Sequence, residues 1–223
     1  MYLKRHASPQ RWKIARKHGV FITRPSTTGH RLRESIALAS ILTDMLHLTQ
    51  NAREALFVVR YEQILINGHR IRRADYPVGL LDILTIPKLG KYYLMGLTSN
   101  DVLALIPIPE SETHTRICMV RRKVQRSTDQ IQLTTNDGTT RLIARTEPVH
   151  VGDSIIVDNQ TNQIVRHLPR VPGATVQTIS HGRSWQQAVI ERIDRSTGHV
   201  YFCDGSSTVL DAVIVVPEGF LNE

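Results

Sequence analysis

The first 30 residues carry few apolar positions and no regular period. Pro9, Pro25 and the stretch Ser26-Thr27-Thr28-Gly29 deny them a long helix. From Arg31 to Leu48 the pattern changes: Ile36, Leu38, Ile41, Leu42, Met45 and Leu46 fall near helical spacing, with Arg33, Glu34, Thr43, Asp44 and His47 off the stripe. That periodicity predicts a first helix. Asn51-Ala52-Arg53-Glu54 sets an N-cap asparagine three residues before a glutamate, a capping box that opens a second helix through about Tyr61. Ile64-Leu65-Ile66 and His69-Arg70-Ile71 flank Asn67-Gly68, a hairpin signal because both turn residues tolerate positive φ. A run from Val78 to Ile86, interrupted by Asp82, predicts another strand. Two helices followed by a small antiparallel sheet result.

The remainder reads as all-β. Short apolar runs at 92–97, 102–108, 117–120, 131–134, 141–144, 154–157 and 163–167 alternate with turn chemistry such as Asn136-Asp137-Gly138 and Val151-Gly152-Asp153. Leu168-Pro169-Arg170-Val171-Pro172-Gly173 has the composition of a linker, and the strands at 174–179, 187–194, 199–204 and 209–216 would make a small separate barrel. The fold class is therefore α+β, dominated by short strands.

Charge changes this picture more than composition does. The 223 residues carry a net +8, but residues 1–126 hold 21 Lys and Arg against 9 Asp and Glu, and residues 127–223 hold 7 against 11. Before Glu34 no acidic residue appears at all, while Lys4, Arg5, Arg11, Lys13, Arg16, Lys17, Arg24, Arg31 and Arg33 do. Such a segment attracts polyanions, since each phosphate contact releases condensed counterions. Trp12 and Phe21 place flat rings among those cations, a combination that suits unpaired bases. The segment has no amphipathic apolar face for a membrane. Residues 1–30 are expected to form an extended basic arm that orders on nucleic acid. For Trp12, stacking on a base and packing against its own domain both remain open.

Hydrophobic content of 41% and two distant cysteines, Cys118 and Cys203, describe a globular chain of a reducing compartment without a disulfide framework. No apolar run approaches the ~18 residues needed to span a bilayer, and Met1-Tyr2-Leu3-Lys4-Arg5-His6 lacks the apolar region of a secretory signal. Secreted enzymes, channels and cystine scaffolds are excluded. Catalytic signatures are missing too: there is no phosphate-binding glycine loop, no Gly-x-Ser-x-Gly elbow and no His-Glu-x-x-His or Cys-x-x-Cys. No catalytic residue, metal ligand or cofactor is expected. Asp82 reads as a strand-end carboxylate capping local amides, Asp137 and Asp153 as turn residues, and Cys118 as a small core residue.

Several ordered motifs carry a likeness to a known family. Leu3-Lys4-Arg5, Pro9-Gln10-Arg11-Trp12, Gly19-Val20-Phe21, Arg24-Pro25-Ser26-Thr27 and His30-Arg31-Leu32-Arg33-Glu34 come first. Ile66-Asn67-Gly68, Asp75 to Ile83, Cys118 to Lys123 and Val151 to Ile155 follow in order. Together, over about residues 1–170, they resemble ribosomal protein eS4 of the archaeal and eukaryotic small subunit. The resemblance implies a basic RNA-binding extension at 1–30, an S4-like RNA-binding domain at 31–97, a central β domain at 98–168 and an SH3-like, KOW-type barrel at 169–223. It also implies a structural, non-enzymatic role on the cytoplasmic ribosome. The implied partners are 16S/18S-type rRNA and neighbouring small-subunit proteins, with no membrane or small-molecule substrate. Carried onto matching positions, it adds Arg31 and Arg33 at the first helix and Arg70, Arg72 and Arg73 around the hairpin to the arm's Lys4, Arg5, Arg11, Trp12, Lys13, Arg16, Lys17 and Arg24 as RNA-binding residues.

The last fifty residues depart from the family pattern. Gly182-Arg183-Ser184-Trp185 keeps one glycine where a KOW loop needs several, and the terminal third is acidic. The chain ends at Glu223 without the basic tail of longer relatives, which leans towards an archaeal form. The competing classes are an S4-bearing RNA-modifying enzyme and a KOW-type transcription or translation factor. About 126 residues of short strands after the S4-like region leave the enzyme little room for a catalytic domain, and the factor's barrel is the part that fits its pattern least.

Overall fold

The protein is described by a computed structural model over residues 2–17, 19–27, 29–179 and 184–220. It divides into two compact units. The first comprises Met1–Thr98, Val102–Arg116 and Asn159–Thr161; the second comprises Ser99–Asp101, Ile117–Asp158 and Asn162–Glu223. No helix among the described residues is long and apolar enough to cross a membrane.

In the first unit, β1 (Tyr2–Lys4) pairs antiparallel with β2 (Phe21–Thr23). β3 (Ser35–Ala37) leads into a helix made of α1 (Leu38–Ser40) and a wider turn at Ile41–Met45, and α2 (Ala52–Tyr61) follows. The strands β4 (Leu65–Ile66), β5 (His69–Arg70), β6 (Pro77–Gly79), β7 (Ile83–Ile86), β8 (Lys91–Leu97) and β9 (Leu103–Pro107) complete it. Five of them form a sheet in the order β5-β4-β7-β8-β9, and β3 pairs with β6 apart from it. Ile36, Leu38, Ile41, Leu42, Val59 and Leu84 are wholly buried. Burying each such side chain contributes about 1.5–3 kcal/mol.

Asn51 caps α2 as the sequence implies, while the return bond of the box is shifted by one residue, to Gln50 instead of Asn51. Asn51 Oδ1 accepts from Glu54 N at 2.9 Å, and Glu54 Oε2 accepts in turn from Gln50 N at 2.7 Å. The first helix is shorter than its periodicity predicts. Ser35–Ala37 is extended because it pairs with Pro77–Gly79, so Ile36 enters the core from a strand. The remaining turn widens, with Leu46 N donating to Ile41 O at 2.9 Å, and ends at His47 with φ 52°. The run from Val78 to Ile86 is likewise not one strand. It breaks at Leu81 (φ 71°) and Asp82, whose Oδ2 accepts from Gly79 N at 2.7 Å, so its two halves join different sheets.

The expected extended arm is a folded segment. Trp12 and Ile22 are buried at 3% and 4% exposure. Arg5 Nη1 meets Asp44 Oδ1 at 2.9 Å and donates to Ala15 O at 3.1 Å. Leu103 N donates to Arg11 O at 2.6 Å. These contacts anchor the basic residues to the first unit. The entropy of a free tail is opposed by several terms together: burial of Trp12 and Ile22, the β1–β2 pairing and backbone hydrogen bonds to the rest of the unit. His18 and Thr28 within this stretch lie outside the described residues.

The second unit contains β10 (Thr115–Gln125, from Ile117 onward), β11 (Gln130–Thr135), β12 (Thr140–Ala144), β13 (Ser154–Asp158) and β14 (Ile164–Leu168) in the sheet order β12-β11-β10-β13-β14. Its core holds Cys118, Val120, Leu133, Ile155 and Val157. The turn between β11 and β12 is set by Asp137, whose Oδ1 accepts from Thr139 N at 3.0 Å, and by Gly138 with φ 76°. A second sheet, ordered β18-β17-β16-β15-β19, is built from β15 (Thr175–Thr178), β16 (Gln187–Asp194), β17 (His199–Phe202), β18 (Ser207–Val209) and β19 (Val213–Val215) around Val176, Ile190, Val200 and Phe202.

The linker-like stretch 168–173 is tied down. Leu168 packs in the terminal core, Arg170 N donates to Asp153 Oδ1 at 3.0 Å, and the Arg170 guanidinium donates to Leu210 O at 3.0 Å. Partial burial pulls the Arg170 pKa below its ordinary value, opposed by the charges of Asp153 and Asp211. Gly182 and Arg183, in the stretch that departs from a KOW loop, lie outside the described residues.

Candidate nucleic-acid interface

The hairpin tip in the first unit is held by an unusual density of buried polar contacts. Asn67 (φ 52°) and Gly68 (φ 77°) make the two-residue turn between β4 and β5, as the Asn-Gly pair implies. The Asn67 side chain is buried. Its Nδ2 donates to Asp82 Oδ1 at 2.7 Å, and its Oδ1 accepts from Ile83 N at 2.9 Å. Asp82 Oδ2 also meets His30 Nε2 at 2.9 Å, with both side chains almost fully enclosed. One carboxylate thus joins the end of the N-terminal segment, the β6–β7 turn and the hairpin tip. Asp82 is an internal capping residue, as its place beside a strand suggests.

A Cβ on Gly68 would lie 3.2 Å from Asn159 Cβ and would sit on a backbone that strains any L side chain. Gly68→Ala should therefore lower unit-1 stability by about 1–3 kcal/mol. Urea unfolding measures it; an unchanged midpoint would mean the tip relaxes freely.

From this anchored tip the chain presents His69, Arg70, Arg72 and Arg73, all exposed. Arg73 and Asp75 form a bidentate pair, Nε to Oδ1 at 3.0 Å and Nη2 to Oδ2 at 2.9 Å. The hydrogen bonds raise the Arg73 pKa and hold the Asp75 carboxyl below its usual range. Ser26 N donates to Asp75 O at 2.8 Å, which sets the Arg24-Pro25-Ser26 stretch beside this turn. Arg31 and Arg33, both exposed, follow His30, so they begin one residue from the Asp82 node. Half-buried Arg24 and exposed Arg31, Arg33, Arg70, Arg72 and Arg73 are thereby brought to one region of the unit.

The other arm residues divide. Lys4, Lys13, Arg16 and Lys17 are exposed, and Arg16 folds back onto the carbonyls of His6 and Ser8 at 3.3 and 3.4 Å. Arg11 is half-buried. Arg5 and Trp12 are interior, so neither offers its side chain to a partner; of the two readings of Trp12, packing is the one its burial supports. Phe21 is 60% exposed and neighbours exposed Tyr2 with ring centroids 6.5 Å apart. Sequence reasoning passed over Phe57 and Tyr61, 61% and 69% exposed on α2. Their helical phase, opposite to Ala55 and Val59, is the signal that would have found them. Among the described residues no three His, Cys, Asp or Glu cluster as metal ligands do.

Two family models match the chain: the RS4NT domain over residues 2–33 and ribosomal family S4e over residues 89–164. Small ribosomal subunit protein eS4 of Korarchaeum cryptofilum is 33% identical over 182 residues, covering 82% of this chain and 77% of that protein. The chain belongs to the eS4 family of small ribosomal subunit proteins. Within that family, the Halorubrum lacusprofundi protein is 27% identical across 99% of this chain and 94% of its own length. The crystal structure of the 30S ribosomal protein S4e from Thermoplasma acidophilum superposes with a TM-score of 0.75 at 26% identity, over 83% of this chain and 96% of that one. The largely β architecture of several antiparallel sheets agrees with that structure, and the role of the chain is that of a structural protein of the small subunit.

Proposed function

We propose that this chain binds small-subunit rRNA without catalysing a reaction, gripping phosphates through the N-terminal segment and the hairpin of the first unit. The observation that carries the reading is the fixed display of exposed Arg70 and Arg72 next to a tip nailed down by Asn67 and Asp82. Guanidinium forks take phosphate oxygens bidentately, and a rigid mount limits the entropy lost on contact. Charge supports the same assignment. The first unit holds 17 Lys and Arg against 8 Asp and Glu, and the second 11 against 12.

In this reading 1–30 is a basic RNA-binding extension, 31–97 an S4-type module and 98–168 a central β domain. Residues 169–223 are a KOW-type barrel, which the five strands β15–β19 with their own core support. That acidic barrel faces solvent or a neighbouring ribosomal protein rather than RNA. The protein works on the ribosome in the cytoplasm. The absence of catalysis is supported by the carboxylates themselves, since Asp82, Asp137 and Asp153 all hold turns or backbone amides.

A sucrose gradient of cell lysate, probed for this protein at moderate and then high salt, tests the assignment. It should migrate with small subunits and leave them as salt rises, in keeping with phosphate contacts. Residence in the soluble top fractions at moderate salt would overturn it.

A further inference from the structure

α2 exposes a face that the fold does not use. Ala55 and Val59 enter the core, whereas Arg53, Phe57, Arg60 and Tyr61 fall within about 100° of one another on the opposite side. Phe57 and Tyr61, one turn apart, pack their rings together with centroids 4.4 Å apart and planes at 37°. Leaving two aromatic side chains mostly in water forgoes roughly 1.5–3 kcal/mol of burial for each. Single exposed apolar side chains are ordinary; a contiguous aromatic pair marks a contact surface.

The charge around the rings selects the occupant. Arg53 and Arg60 are exposed and flank the pair. Glu62 pairs with Lys88 Nζ at 2.6 Å, and exposed Glu54, beside Tyr61 on the helix, keeps its charge while accepting from Gln50 N, so two arginines stand against one carboxylate. The face is therefore aromatic and cationic. That chemistry matches single-stranded RNA, in which bases stack on rings while guanidinium groups take the flanking phosphates. Paired bases, stacked within a duplex, offer no free face to a ring.

We propose that Phe57 and Tyr61 form a seat for unpaired bases of RNA, with Arg53 and Arg60 as its phosphate clamps. The seat rests on the rRNA-binding reading above but adds a ligand class, the unpaired nucleotide, that phosphate grip alone does not require.

The test compares the full-length protein with two double variants, Phe57→Ala/Tyr61→Ala and Phe57→Leu/Tyr61→Leu. Alanine and leucine are both strong helix formers, so α2 is retained, and circular dichroism checks it. The probes are a single-stranded RNA 12-mer carrying one 2-aminopurine and a 12-base-pair RNA duplex. For the single strand, both variants should bind roughly 10-fold more weakly and lose the 2-aminopurine fluorescence change that stacking produces. For the duplex, affinity should change less than about 2-fold, because phosphate contacts dominate there. Unchanged single-strand binding in both variants overturns the seat and leaves the rRNA reading intact. Equal losses on both probes also overturn it. Failure of the unaltered protein to bind either RNA overturns both readings. If alanine releases the protein from small subunits while leucine and RNA affinity stay unchanged, the face docks a protein and the seat is refuted.

Discussion

Asp82→Ala should destabilise the first unit by about 3–5 kcal/mol, the scale expected when several buried polar groups lose a shared partner at about 1–3 kcal/mol each. Removing this carboxylate leaves the His30 ring, the Asn67 amide and Gly79 N without their acceptor, all away from water. Asp82→Asn keeps an acceptor oxygen and should cost about half as much. Gly79→Ala should mimic the loss by another route, because a Cβ there would lie 2.2 Å from the His30 ring and drive it off the carboxylate. Trp12 is buried in the first unit and Trp185 belongs to the second. In a Trp185→Phe background, the urea-induced fluorescence transition therefore reports the first unit alone. A midpoint equivalent to less than about 0.5 kcal/mol of change would show that the node is ornamental.

The second large effect is on binding. Reversing Arg70 and Arg72 to glutamate should weaken rRNA binding on the order of 100-fold at moderate salt, from two lost charge-assisted contacts plus repulsion. The slope of log affinity against log salt should flatten by about 1.5–2. Arg192→Glu/Arg195→Glu is the control. Arg192 lies over the Tyr201 ring at 4.6 Å in the acidic terminal region, and its reversal should cost less than about 3-fold. A filter-binding series across salt concentrations separates the pairs; equal losses would refute a division of labour between the two units.

What the sequence made legible was local. The Asn51 cap on Glu54 N and the Asn67-Gly68 turn each close within three or four residues, and both appear where expected. The strands of the second unit follow from alternation and turn residues, and most fall within two residues of their expected bounds, but the run expected at 209–216 is broken at Leu210–Ala212 into β18 and β19 on opposite edges of their sheet. Misreadings came where the deciding partner is distant. Ser35–Ala37 is a strand only because Pro77–Gly79, some forty residues on, pairs with it. Arg5 is interior only because Asp44 waits for it. Of the candidate site, the residue types and the hairpin were readable. The burial of Trp12 was not, nor was the network that holds the hairpin tip, since His30, Asn67 and Asp82 meet only after folding.

The folded N-terminal segment has a consequence for how the protein meets its target. A disordered basic tail would have to lose its backbone freedom at the moment of contact, about 1–2 kcal/mol per residue fixed, and would associate through a coupled folding step. Here the Trp12 and Ile22 side chains and the Arg5–Asp44 pair have already restricted the segment in the free protein. Its cations arrive pre-set, so that encounter with a polyanion is a single diffusional event and long residence follows from contacts rather than from ordering.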